Sequence, residues 1–418
     1  MIIDLILCDL LPMRERAKYM GILFSFVTVF TSVGPLLGGA LAQAGAWRWA
    51  FYMNLPIGAI VMVAMWLFLK LESGSGTAGG FRHSIKRIDF WGIGILSIST
   101  VATLYALTYG GSLRAWADSA VVTPLVAGLL LLVLFVLVEG AAFVKAPVTP
   151  YRLFGNRTSV AAFYVSFQHS ILCYWMTYMY PLYFQAVVGA TPTKSGLYFL
   201  PFVFSFPVAA AVGGPLVAKY GRYKPVHLIG FSLVTVGYGA SAALTRDSSP
   251  ALWVFLQLFV GAGLGMIITC LLPAVQAKLT EADTALSTGT WAFIRSVGTI
   301  WGVSIPAAIF NNRVDQLLPT IDDEGARLAL GSGMAYSHAS DAFIDSFPIE
   351  IRDQVLNVYT LSLQRVWLIS IVFAGSALLA VLLEREVTLR TELDTQYGLE
   401  KEKGDKTPDP SATEAATQ

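Results

Sequence analysis

Apolar stretches of about twenty residues alternate with short polar breaks along most of this chain. Wound as helix, a run of that length crosses a hydrocarbon layer about 30 Å thick. The pattern predicts about ten full spans, at 20–43, 49–71, 89–110, 122–144, 159–182, 196–218, 226–244, 252–273, 289–310 and 364–384. The alternation of period two that would build a membrane barrel is absent. The expected fold class is therefore all-α, a polytopic transmembrane helix bundle. Residues 1–9 are apolar but too short to span, and they carry neither a basic leader nor a small-residue cleavage site. They read as the second half of a helix.

Most connections are short, as antiparallel neighbours require. Two are longer. The stretch 72–88 is rich in Gly and Ser and then basic, and 311–363 is mixed polar and expected to be partly helical. Residues 401–418 have no apolar face and are expected to be disordered.

Composition agrees with the pattern. Apolar residues make up 55% and charged residues only 13% of the 418 positions, too little polar surface for a water-soluble skin. Charge then sets the orientation. One set of alternate loops holds Arg14, Arg16 and Lys18, then Lys70, Arg82, Lys86 and Arg87, then Lys145, Arg152 and Arg157, then Lys219, Arg222 and Lys224. The other set holds single cations until 311–363. Basic loops stay in the cytoplasm, so the first set and the C-terminus are expected there, with 311–363 outside.

The net charge of +1 gives no reason to expect nucleic acid. Cys8, Cys173 and Cys270 all lie in apolar runs and read as packing thiols, so neither a disulfide framework nor a metal is expected. The four histidines are scattered, with none at metal-ligand spacing, and no phosphate loop is present, so no cofactor, no ATP hydrolysis and no enzyme activity are expected.

Several segments carry more than hydropathy. Gly34, Gly38 and Gly39 strip side chains from one helix face, and Pro35 deletes a backbone hydrogen bond, so a neighbouring helix could cross closely at a bend. The same residues also read as ordinary membrane-helix packing. In Gly214-Pro215-Leu216-Val217-Ala218-Lys219-Tyr220-Gly221-Arg222-Tyr223-Lys224, the cations just past the helix end can meet helix C-terminal carbonyls or nearby acids, or simply mark the basic side. Arg295 lies about two turns into its span, where a charge is costly. It could serve a substrate or snorkel to the surface.

Tyr164, Gln168, Ile171, Trp175 and Tyr178 recur at steps of four and three, which places them on one helical stripe. An aromatic and polar stripe where lipid would favour Leu and Val suggests the wall of a substrate cavity, with interfacial packing as the alternative. His169 is its neighbour.

Gly34-Pro35-Leu36-Leu37-Gly38-Gly39, followed by Trp47-Arg48-Trp49, resembles the antiporter motif and the segment after it in the fourteen-span drug:proton antiporters of the major facilitator superfamily. Of two further glycines in that pattern, Gly21 matches one and Phe30 occupies the other. The segment Gly214–Lys224 resembles the superfamily's loop motif, a conformational latch, with Ala218 in place of the usual acid. Gln364-Arg365-Val366-Trp367 and the charged tail near Arg390 are similar to fungal members.

The resemblance implies four regions. These are the remainder of an N-terminal bundle at 1–71, a linker with two extra spans at 72–157, a C-terminal bundle at 158–385 and a cytoplasmic tail at 386–418. It also implies about three and a half spans before Met1, so the start is either placed late or belongs to a shortened, inactive product. The implied function is proton-coupled efflux of a small organic molecule such as a drug, toxin or fungal secondary metabolite. The expected protein is a monomer in the bilayer of the plasma membrane; uptake or export of a siderophore or nutrient is the alternative.

Overall fold

The computed structural model describes residues 15–23, 48–68, 89–110, 114–140, 149–280 and 283–387, with isolated positions between 7 and 46 and residue 147. The long helices after 53 are α1 (Asn54–Phe68), α2 (Phe90–Tyr109), α3 (Ser119–Glu139), α4 (Arg157–Ala186), α5 (Leu200–Tyr220), α6 (Lys224–Ser241), α7 (Pro250–Gln276), α8 (Thr284–Leu317) and α9 (Ile349–Leu383). Residues 15–23 are also helical. Most of the expected span 20–43 lies outside the described residues, and each of the other nine expected spans overlaps a helix, though not at the same ends.

Seven helices among the described residues are long and apolar enough to cross a membrane. The helices α4 and α6 are not among them. In α4 the cause is the run of polar side chains that includes Gln168, His169 and Ser170.

The helix starts are fixed by side-chain caps. Asp89 accepts from the Gly92 N–H at the start of α2, Asn156 from the Ser159 N–H at the start of α4, and Ser249 from the Leu252 N–H at the start of α7. Asp118 caps α3. The Ala120 N–H and the Arg114 guanidinium hold its carboxyl below the usual carboxylate range. The helix α5 ends on Gly221, whose φ of +66° is a left-handed conformation that suits glycine.

The helices are joined by small-residue crossings, because lipid provides no hydrophobic drive for helix association. A side chain at Gly265 of α7 would collide with the Phe206 carbonyl of α5. On α8, a Cβ at Gly298 would lie 2.6 Å from the Phe167 carbonyl of α4, and one at Gly302 would lie 2.5 Å from that of Ile171. The pair α2–α3 is tied by the Ser99 hydroxyl, which donates to the Gly128 carbonyl at 2.7 Å.

The two ends of the bundle differ. At the basic end, Arg16 meets Gln276, Arg152 meets Asp283, and residues 222–227 meet 382–386. At the opposite end, Trp116 meets Asn312 and Arg246 meets Asp353. The stretch 311–363 is less of a loop than its polarity suggests. The helix α8 runs on to Leu317 and α9 begins at Ile349, so both project past the apolar runs. Between them, 318–348 folds over the projecting ends. The Tyr359 hydroxyl donates to the Ala335 carbonyl at 2.8 Å, and Asn311 accepts from the Tyr336 N–H at 3.2 Å.

Candidate functional site

The helix α4 occupies the centre of the bundle, against α7, α8 and α9. The face that carries the aromatic and polar stripe turns toward α9. The Tyr164 hydroxyl donates to Ser376 Oγ at 2.9 Å, and Gln168 Nε2 donates to Tyr164 Oη at 2.7 Å and to Ser376 Oγ at 2.8 Å. Gln168 is buried, and its Oε1 has no partner among the described residues.

Trp175 is fully buried, with its ring 5.4 Å from that of Phe373 on α9. Tyr178 is 41% exposed and stacks on Tyr174 at 6.4 Å. The structure thus brings Tyr164 and Gln168 together, seats Trp175 deep in the core, and leaves Tyr178 open. His169 points the other way, toward α7, with Nε2 3.0 Å from the Leu264 carbonyl.

Arg295 on α8 is half-buried, its guanidinium 4.7 Å above the Trp291 ring. Trp291 is held in place by its indole N–H, which donates to Ser166 Oγ on α4 at 3.1 Å.

The loop motif builds a clasp onto the end of α9. Arg222 Nε lies 3.5 Å from Glu386 Oε1. Lys224 Nζ donates to the carbonyls of Glu384 at 2.6 Å and Leu382 at 3.2 Å, and the Tyr223 hydroxyl donates to that of Arg385 at 2.6 Å. Beneath these contacts, His227 Nδ1 is 3.0 Å from Glu384 Oε2, with both side chains fully buried. Sequence reasoning missed His227 and Glu384, although a histidine one turn past the motif was the available signal.

Gly214 packs elsewhere, against the helical residues 15–23. Its Cβ would strike the Ala17 carbonyl, and a Cβ at Gly21 would lie 2.8 Å from the Ala210 carbonyl. Ala17 with Gly21, and Ala210 with Gly214, each four apart, make a matched small-residue crossing.

Beside it lies a polar node that no motif in the chain signals. Arg16 donates to Gln276 Oε1 at 2.8 Å and to the Leu11 carbonyl at 3.0 Å. Gln276 Nε2 in turn donates to Thr288 Oγ1 at 3.0 Å and Ser287 Oγ at 3.2 Å. In the first motif, Gly34 and Gly38 are helical and exposed, and a Cβ there meets nothing within 4 Å among the described residues. Pro35 and Gly39 lie outside the described residues.

Two cavities flank α4. One of about 390 Å³ lies between the α2–α3 pair and the α4–α8 pair. The other, about 780 Å³, lies between α4 and α9 near the basic end. Tyr164 lines both.

The model of the Major Facilitator Superfamily matches residues 2–303. The chain is 49% identical over 410 residues to the MFS-type efflux transporter ffsH of Aspergillus flavipes, covering 97% of this chain and 72% of that protein. It is 46% identical to the MFS-type efflux transporter phmH of Phaeosphaeria nodorum, with the same coverage. The efflux pump FUS6 of Gibberella fujikuroi is 40% identical, over 96% of this chain and 72% of the pump.

Proposed function

Because this chain belongs to the major facilitator superfamily, we propose that it is an exporter of small amphipathic organic compounds, of the kind that fungal secondary metabolism produces, driven by proton exchange. It is a multi-pass membrane transporter and not an enzyme. The observation that carries the export reading is the 49% identity along 97% of the chain to a protein named as an efflux transporter. The core of the bundle supports it. The half-buried cation Arg295 lies over Trp291, and on α4 Tyr174 stacks on Tyr178; aromatic walls with a few polar groups suit bulky, partly apolar solutes.

The basic end faces the cytoplasm. The loops that meet there carry Arg16, Arg152, Arg222 and Lys224, and cations are retained on that side. The protein works as a monomer in the plasma membrane, alternating access by rocking one group of helices against another.

The test is expression in a sensitive host, with intracellular accumulation of an amphipathic panel measured with and without a protonophore. Accumulation should fall for at least one compound and recover when the proton gradient collapses. Unchanged accumulation across the panel would overturn export, and a fall that the protonophore leaves intact would overturn proton coupling.

A further inference from the structure

Tyr164, Val160 and Phe154 line both cavities beside α4, so the two spaces adjoin along one ridge. Their walls are hydrocarbon: Phe163, Phe167 and Trp301 on one side of the ridge, Leu379, Ala380 and Leu383 on the other. The hydroxyls that reach them are already used inside the protein. Ser99 donates to the Gly128 carbonyl, Thr103 to that of Ser99, Thr100 to that of Leu96, and Tyr164 to Ser376. Gln168 lines neither space. Cavities of this kind offer water no partners and stay dry, so in a bilayer hydrocarbon fills them.

The basic end of the larger space is different. Arg157 lines its mouth, and Arg385 stands next to it, its backbone N–H donating to Thr158 Oγ1 at 3.2 Å. Both arginines are exposed, and neither guanidinium has an ion pair or hydrogen bond among the described residues. The cations around them are engaged. Arg152 is 2.7 Å from Asp283, Arg222 is 3.5 Å from Glu386, and Lys224 is bound to helix-end carbonyls. Two cations without protein acids, above a forked hydrocarbon slot, complement an anionic headgroup with two tails.

We propose that the two slots and these arginines form a binding site for one anionic diacyl phospholipid, its acyl chains straddling the Tyr164 ridge and its headgroup held between Arg157 and Arg385. The site rests on the membrane insertion proposed above and on the basic end lying at the bilayer surface. Its lipid would wedge the α2–α3 pair against the bundle.

The experiment is native mass spectrometry of the full chain, delipidated in detergent and offered equimolar phosphatidylserine and phosphatidylcholine with identical chains. One phosphatidylserine per protein should be retained in preference. Each arginine near a charged surface contributes about a fivefold preference, so R157Q should lower it by that factor and R157Q/R385Q should abolish it. Both positions are exposed, so the variants should fold. Val160→Trp, which fills the fork, should reduce retention of both lipids, and tail-less glycerophosphoserine should not compete.

Equal retention of the two lipids, or an undiminished preference in R157Q/R385Q, would overturn the proposal. Competition by glycerophosphoserine would also overturn it, as the mark of a simple phosphate site. Transport is not the readout, so failure of the export reading leaves this outcome legible, and the converse holds as well.

Discussion

Arg16 donates to Gln276 Oε1 at 2.8 Å across 260 positions of sequence, and both side chains are only 1% exposed. The bond ties the helical residues 15–23 to the junction of α7 and α8 at the basic end. If the bundle opens there during transport, this contact has to break and re-form. Gln276→Leu removes an acceptor from a buried cation and should destabilise the protein by about 2 kcal/mol. Gln276→Glu keeps the acceptor and should hold the end shut, slowing transport without lowering the melting temperature. Thermal unfolding and initial transport rates on both variants decide the matter. A Gln276→Leu protein that melts like wild type would remove the role.

The clasp on α9 separates buried from exposed polar contacts. Glu384→Ala leaves His227 buried without its partner and should cost about 1–3 kcal/mol. Arg222→Ala breaks only an exposed pair at 3.5 Å and should cost less than about 1 kcal/mol. Detergent-solubilised melting curves check the order, and equal losses would contradict the burial of the His227–Glu384 pair.

Within the aromatic stripe, Trp175 and Tyr178 should respond differently. Trp175→Ala empties a fully buried site against Phe373 and should destabilise by about 3–5 kcal/mol, lowering abundance for every substrate alike. Tyr178 is 41% exposed, so Tyr178→Ala should leave abundance unchanged and shift the range of compounds transported. Resistance profiles normalised to membrane abundance distinguish the two. A selective substrate effect at Trp175 would count against its place in the core.

Glycines that meet backbone and glycines that meet nothing give a further contrast. Gly265→Ala should push α5 and α7 apart, since its Cβ would collide with the Phe206 carbonyl, at a cost of about 1–3 kcal/mol or more. Gly375 lies in α9 with nothing within 4 Å of its added Cβ among the described residues, and Gly375→Ala should be neutral or stabilising by up to about 1 kcal/mol. Paired melting temperatures test both.

The helices were legible in the sequence because length and apolarity alone force a membrane-crossing segment into helix. Their outer ends were not. Hydropathy stops at 310 and resumes at 364, whereas α8 and α9 continue to Leu317 and back to Ile349. Those extra turns survive in a polar stretch because Asn311 and Tyr359 bond the segment folded over them.

Periodicity correctly put Tyr164, Gln168 and Trp175 on one face, but it could not say that α9 would cover that face. Ser376, the partner of both Tyr164 and Gln168, is more than 200 positions away. From the chain alone Arg222 and Lys224 could be read as meeting helix-end carbonyls or acids, or as marking the basic side; in the structure Arg222 lies beside Glu386 and Lys224 donates to the Leu382 and Glu384 carbonyls. That these belong to α9, and that a histidine–glutamate pair lies beneath, depends on how distant segments come together.

Where backbone lies directly on backbone, as at Gly265, Gly298 and Gly302, there is no layer of side chains that could act as a lubricant. The helices α4 and α8 are meshed by two such teeth, α5 and α7 by another, and the His169–Leu264 bond couples the two pairs. These four rods should therefore travel as one gear block through a working cycle. A spin-label ruler laid between α5 and α7 would keep its length through every turnover.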